Sequence, residues 1–105
     1  MVDTSKLPVK VYSIGFSMEC RHVLTECIIH SLMPERNQMV VECEGLKFLD
    51  DMNYLKGERI ERDYFPYTEE SRKLLQNFCD NEYNEWLKRI ERVKRNLAEK
   101  SIKMS

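Results

Sequence analysis

A twelve-residue segment at positions 9–20, VKVYSIGFSMEC, constrains the fold of this chain more than any other. Its β-branched beginning at residues 9–13 alternates valines with more polar side chains, which predicts a strand. Gly15 permits the turn that follows, and Ser17 is a favourable helix N-cap. An apolar stripe with helical spacing then runs to Pro34, so the segment predicts a strand that leads into a helix. The stripe consists of Cys20, Val23, Leu24, Cys27, Ile28 and Leu32.

The length and composition predict one globular domain. The chain has 105 residues, of which 42% are hydrophobic and 33% are charged, and its net charge is −1. This balance gives no reason to expect nucleic acid as a partner, and no apolar run is long enough to span a membrane. Asp3, Lys6 and Pro8 interrupt any signal-peptide core, so we expect a cytoplasmic protein. Residues 1–7 and 101–105 are predicted to be flexible ends.

The four cysteines, at positions 20, 27, 43 and 79, have spacings that match no zinc pattern, so no metal site is predicted. Without a signal peptide they are expected to be reduced. Cys27 and Cys43 are interpreted as small buried apolar residues.

The middle of the chain leaves alternatives open. Residues 38–44 predict a second strand. Residues 46–56 suit a short helix closed by a glycine, although a β-hairpin through Glu44 and Gly45 competes with it. Residues 67–78 fit two short strands joined by a turn, and they fit equally a helix that begins at Thr68.

The C-terminal pattern is clearer. Asp80 is placed to cap a helix that runs to about Lys100. Packing of its apolar face on a sheet is the favoured interpretation, and a coiled-coil seam that forms a homodimer is the alternative. If Trp86 belongs to the core, replacing it by alanine should cost about 3–5 kcal/mol. The apolar face consists of Tyr83, Trp86, Leu87, Ile90, Val93 and Leu97.

Taken in order, these features resemble a glutaredoxin within the thioredoxin-like superfamily. The similarity rests on V-x-V-Y-S followed by S-x-x-C at residues 17–20, on Phe65-Pro66 as an X-cis-Pro pair, and on Cys79-Asp80 before the last helix. The resemblance implies a single α/β domain with a central mixed sheet, flanking helices and a long C-terminal helix.

The resemblance also indicates a site at the mouth of the first helix. A partner or ligand would be bound there by Phe16, Ser17, Phe65, Pro66 and Asp80. Ser17 stands where glutaredoxins have their nucleophilic cysteine, so only Cys20 remains as a thiol. Ordinary disulfide exchange should therefore be lost.

The expected function is that of a redox-inactive, glutaredoxin-like module that binds a protein, or a subunit of a larger assembly. No cofactor is expected in that case. One alternative is a thiol- or glutathione-dependent oxidoreductase or transferase in which Cys20 or Ser17 is catalytic, with glutathione as the cofactor. Another alternative is a KH-like subunit of an RNA-handling complex, which requires a single helix over residues 68–100.

Overall fold

A five-stranded antiparallel sheet forms the centre of the computed structural model, which describes residues 1–19 and 21–104. The strands are β1 (Val9–Phe16), β2 (His22–Met33), β3 (Gln38–Cys43), β4 (Leu46–Asp51) and β5 (Phe65–Pro66), and they lie in the order β4-β3-β2-β1-β5. Two 3₁₀ turns, Pro34–Arg36 and Met52–Lys56, follow β2 and β4. The long helix α1 (Glu69–Met104) follows the sheet.

The thioredoxin-like α/β class is therefore wrong, because the predicted first helix is strand β2. Residues 22–33 pair with β1 on one side and with β3 on the other. A central strand packs both of its faces, so apolar residues occupy odd and even positions alike. Their combined spacing mimics the stripe of an amphipathic helix. The β-branched residues Val23, Thr25, Ile28 and Ile29 favour the strand instead.

The predicted short helix at residues 46–56 is also wrong, and the alternative hairpin is confirmed. Glu44 and Gly45 both have positive φ angles, 53° and 81°, and they join β3 to β4. Positive φ at both central residues is the geometry of the two-residue turns that match the twist of a β-hairpin. The 3₁₀ turn after β4 ends at Gly57, where φ is 67°.

The strand pair predicted for residues 67–78 is wrong as well, because α1 is one unbroken helix from Glu69 onwards. The alternative start at Thr68 is confirmed, since the Ser71 N–H donates to Thr68 Oγ1 at 3.1 Å. A single helix over residues 68–100 also fits the KH-like alternative, but that fold needs a further helix where β2 lies. Within the described residues no helix is long and apolar enough to cross a membrane.

The larger of two apolar clusters lies on the face of the sheet opposite α1. It contains Val2, Val11, Cys27, Ile29, Met39, Val41, Leu55 and Tyr64, all of them buried. The Val2 N–H donates to the carbonyl of Leu55 at 3.2 Å, so the N-terminal segment covers part of this cluster. The Tyr64 hydroxyl donates to Asp50 Oδ2 at 2.6 Å, which ties the loop before β5 to the end of β4.

A disulfide joins Cys27 to Cys43 within this cluster, so the expectation that these cysteines are reduced is wrong. The two residues lie directly opposite each other on β2 and β3, with their Cα atoms 4.6 Å apart. That separation is typical of a non-hydrogen-bonded pair in antiparallel strands, where side chains approach most closely. The pairing could not be deduced before β2 was known to be a strand. Cys79 is a free, buried cysteine of α1.

The second cluster lies between α1 and the sheet. Tyr12, Phe65 and Leu75 are buried in it, and Ile14, Leu24 and Ile60 pack around them. The helix lies against β1 and β2, which places its first turns on the two longest strands. This packing determines where the later part of α1 leaves the sheet.

Candidate interaction surface

Helix α1 extends well beyond the sheet on which its first turns pack. Ser71, Leu75 and Cys79 are buried at intervals of four residues. From residue 84 to residue 100, every side chain except that of Ile90 is exposed. At 1.5 Å per residue, residues 84–104 extend about 30 Å, which fits the 66 × 26 × 23 Å dimensions of the molecule.

An apolar stripe continues along this projecting part, and we call it the α1 seam. It consists of Tyr83, Trp86, Ile90, Val93 and Leu97. Their spacing alternates between three and four residues, the repeat by which two helices pack against each other along their length. Trp86, Val93 and Leu97 are 45%, 55% and 59% exposed. Within the described residues, the face of α1 that packs on the sheet therefore continues without a covering element.

The seam begins in a cavity of about 220 Å³ between α1 and the hairpin tip, meaning described residues 16–19, 21 and 22 between β1 and β2. We call this cavity the tip groove. Its lining residues are Phe16, Glu19, Arg21, His22, Glu82, Tyr83, Trp86 and Arg89. Because Tyr83 and Trp86 belong to both features, the groove and the seam form one continuous surface.

Aromatic contacts hold the hairpin tip against the helix. The Arg21 guanidinium lies over the Tyr83 ring, 3.8 Å from its centroid. The His22 ring makes edge contacts with Phe16 and Phe78, at centroid distances of 5.1 and 5.7 Å. These contacts are worth about 0.5–2 kcal/mol each. They fix the walls of the tip groove without filling it.

The tip groove carries charges of both signs at its rim. Glu19 and Glu82 supply two carboxylates, and Arg21 and Arg89 supply two guanidinium groups. Exposed aromatic rings together with arginine are typical of protein–protein interfaces. Phe16, at 63% exposed, contributes the most accessible ring. The composition of the groove therefore favours contact with another polypeptide.

The structure brings one of the predicted binding residues, Phe16, into this surface. The Ser17 N–H donates to the Arg21 carbonyl at 2.8 Å, so Ser17 belongs to a strand turn and not to a helix mouth. Its hydroxyl is buried, and no described residue hydrogen-bonds it. Cys20, the other catalytic candidate, lies outside the described residues.

The remaining predicted binding residues lie elsewhere. Phe65 and Pro66 pair with Tyr12 and Val11 in the sheet. Pro66 is thus six residues along β1 from Ser17, about 20 Å. The cis proline bond is Leu7–Pro8 and not Phe65–Pro66. Asp80 lies within α1, where its Oδ1 accepts from Gln76 Nε2 at 3.0 Å. Phe65, Pro66 and Asp80 therefore share no recess with Ser17, which lines a groove on the face of the sheet opposite α1.

The described residues offer no activated thiol. Burial raises the pKa of the Cys79 thiol, which disfavours its reactive thiolate. No group of three His, Cys, Asp or Glu side chains in residues 1–19 and 21–104 could hold a metal ion.

A wider groove of about 730 Å³ lies on the opposite face of the sheet, beside Cys27, Cys43 and Tyr54. Tyr64 and Asp50 also line it, and the Tyr64 hydroxyl donates a hydrogen bond to Asp50 there. Burial, together with this bond to a carboxylate, raises the pKa of Tyr64. These features stabilise the sheet and its loops, and they bring no convergent set of reactive groups together.

No family model, no curated protein and no solved structure matches the chain. The heptad spacing of the seam was visible in the sequence. Arg21, Glu82 and Arg89, in contrast, had no sequence signal, because only the docking of α1 on β1 and β2 brings them around one groove.

Proposed function

We propose that this chain is a protein-interaction module that binds a helix of its partner along the α1 seam, as a subunit of a larger assembly. The observation that carries the proposal is the continuation of the sheet-packing face of α1 for about four turns beyond the sheet, with its apolar residues exposed.

An exposed apolar stripe on a projecting helix is unfavourable unless something covers it. A helix without tertiary contacts is only marginally stable in water, and packing of its apolar face supplies most of its stability. Burying the exposed parts of Trp86, Val93 and Leu97 would contribute about 1 kcal/mol for each side chain. A partner helix that covers the seam would therefore stabilise α1 and gain affinity from the same contacts.

The sheet acts as a rigid base for the helix in this proposal. Leu75 and Cys79 anchor the first turns of α1, and the Cys27–Cys43 disulfide links the two strands behind it. A helix held at one end presents its seam in a fixed direction. This reduces the conformational entropy lost on binding.

The proposal is tested by affinity capture from the native source with two matched variants. Val93→Asp places a carboxylate in the seam. Ala98→Asp makes the same change of charge at an exposed position of the same helix outside the seam. We expect Val93→Asp to lose the proteins that the unmodified chain captures, and Ala98→Asp to retain them.

Trp86 gives a direct readout because it is the only tryptophan in the sequence. Covering its half-exposed ring should shift its fluorescence to shorter wavelength and protect it from acrylamide quenching. If Val93→Asp and Ala98→Asp capture the same proteins, and Trp86 stays equally quenchable when they are bound, the seam is not the binding surface.

A further inference from the structure

We infer that the helix that covers the seam is α1 of a second copy of this chain, packed antiparallel so that Ile90 of each copy lies opposite Val93 of the other. This inference rests on the proposed function of the seam and names its occupant. It follows from the charges beside the seam, from the charged residue that continues its spacing after Leu97, and from the position of the tip groove.

The flanking charges select the antiparallel direction. Arg89 lies just before Ile90, and Lys94 lies just after Val93. In a parallel pair, each Arg89 would face Lys94 of the other copy, and the two-fold axis would create this repulsion twice. In an antiparallel pair, Arg89 faces Asn96, and Lys94 faces Leu87, whose apolar surface its stem can cover.

Lys100 supports the same arrangement. It continues the spacing of the seam three residues after Leu97, where an apolar residue would be expected. With Ile90 opposite Val93, Leu97 lies opposite Trp86 of the second copy, and Lys100 lies opposite Tyr83. Lys100 thereby reaches the carboxylates of Glu19 and Glu82 at the tip groove. Because the pair is two-fold symmetric, both ends of the interface gain this complementarity.

The tip groove fixes the register. The seam faces the same side as the sheet, so a helix that lies along it meets the hairpin tip near Phe16. A shift of one heptad towards the sheet would require Leu97 of the second copy to contact Cys79, which is buried under the sheet. A shift of one heptad away would place Lys100 opposite the apolar Ile90 and would remove it from the carboxylates of Glu19 and Glu82. The register with Ile90 opposite Val93 covers the whole seam, and the two sheets lie at opposite ends.

Light scattering and sedimentation of the purified chain test whether a second copy covers the seam. We expect the mass to rise from 12.6 kDa towards twice that value between about 1 and about 100 μM protein. The emission of Trp86 should shift to shorter wavelength over the same range. The Ala98→Asp variant should behave in the same way. The Val93→Asp variant should stay monomeric, and its Trp86 fluorescence should remain fully open to acrylamide quenching.

Disulfide cross-linking tests the direction of the helices. In a Cys20→Ser background, Ile90→Cys and Val93→Cys variants are mixed and oxidised, and the linked peptides are identified by mass spectrometry. The antiparallel register predicts that the link between positions 90 and 93 exceeds either self-link by about tenfold. Predominant 90–90 and 93–93 links would overturn the inference in favour of a parallel pair.

Three further outcomes distinguish a failure of this inference from a failure of the proposed function. The chain could stay monomeric at about 100 μM while Val93→Asp abolishes its capture of other proteins. That result would overturn the inference that a second copy covers the seam, and it would leave the seam as a binding site for a different protein. A dimer that Val93→Asp does not weaken overturns the inference by locating the interface elsewhere. If the chain is monomeric and Val93→Asp still captures the same proteins, both proposals are overturned.

Discussion

The guanidinium of Arg21 lies over the ring of Tyr83, with its Cζ atom 3.8 Å from the ring centroid. This contact joins the hairpin tip to α1 at the point where the helix leaves the sheet. Cys79, one turn earlier, is buried, whereas Trp86, one turn later, is half exposed. The helix therefore consists of an anchored part and a projecting part, and the same substitution should have different effects in each.

Leucines in these two parts provide a matched comparison. Leu75 is completely buried and Leu97 is largely exposed, although both lie on the same stripe of α1. We expect Leu75→Ala to lower the free energy of unfolding by about 2–5 kcal/mol because it leaves a cavity. Leu97→Ala should lower it by less than about 0.5 kcal/mol. Urea unfolding at about 1 μM protein, where self-association is weakest, measures both.

Trp86→Ala provides a check on the same comparison. Since its side chain is half exposed, the cost in the monomer should be below about 1 kcal/mol and not the 3–5 kcal/mol expected of a core residue. A large loss of stability in both Leu97→Ala and Trp86→Ala would mean that the projecting part packs on its own sheet.

The Cys27–Cys43 disulfide should make the stability of the sheet depend on reductant. It closes a loop with a sequence separation of 16 residues, and cross-links of about this size stabilise proteins by about 3 kcal/mol. We expect dithiothreitol to lower the urea midpoint of the unmodified chain. A Cys27→Ala, Cys43→Ala double variant should be insensitive to it. Equal midpoints with and without reductant in the unmodified chain would contradict the prediction.

Tyr64 should make the protein less stable at alkaline pH. Burial and the hydrogen bond to Asp50 raise its pKa in the folded state, so the unfolded chain loses this proton first. The stabilisation is complete below the usual tyrosine pKa near 10 and is lost as the pH rises above it. One such group makes the free energy of unfolding fall by at most about 1.4 kcal/mol for each pH unit. Urea unfolding between about pH 9 and pH 11 measures this slope, and Tyr64→Phe should make it shallower.

Tyr67 serves as the control for this measurement. Its hydrogen bond to Glu26 raises the pKa of Tyr67 to about 12, but its side chain is exposed and water screens the interaction. Tyr67→Phe should therefore alter the alkaline slope less than Tyr64→Phe does. The reverse order would show that the Tyr64–Asp50 contact is not maintained in solution.

The N-cap of α1 should contribute measurably to stability. Thr68 accepts a hydrogen bond from the Ser71 N–H, and its hydroxyl donates to Ser71 Oγ at 3.0 Å. Thr68→Ala should lower the free energy of unfolding by about 1 kcal/mol, because it leaves a backbone donor at the helix start without its partner. Thr68→Ser retains the hydroxyl and should restore most of the loss in the same thermal or urea unfolding assay. An alanine variant as stable as the serine variant would exclude a capping role.

The local sequence pattern predicted the correct type of element where a single periodicity of apolar residues dominated. Strand β1 was predicted from its alternation and extends three residues further, to Phe16. Strand β3 was predicted at residues 38–44 and ends at Cys43. The apolar stripe of the last helix is present, although the helix begins before Asp80, at Glu69. In β3 and the last helix a single face carries most of the packing, so the spacing of the apolar residues identifies the structure. Strand β1 packs Val11 and Tyr12 into different clusters, and its β-branched residues identified it.

Local pattern failed at residues 22–33. The spacing of Cys27, Ile28 and Leu32 fits a helix, but neighbouring strands cover both edges of this segment and both of its faces pack. A bulge between Ile29 and Ser31 further disturbs the alternation that would have revealed a strand. The wrong fold class followed from this one segment, because a helix at that position completed the resemblance to a thiol-redox fold.

The sequence by itself determined that this chain has a stripe at heptad spacing near its C-terminus, because that stripe depends on residues close together in the chain. It offered the hairpin turn at Glu44–Gly45 and the helix start at Thr68 only as alternatives, and the structure decided for both. Only the tertiary structure decided that Cys27 and Cys43 are bonded and that Phe16, Arg21 and Trp86 surround one groove. It also decided that the stripe is buried at Leu75 and Cys79 and exposed at Trp86, Val93 and Leu97, with Ile90 partly buried. Which part of an amphipathic helix is covered depends on where the sheet ends, and strand pairing between distant segments sets that boundary.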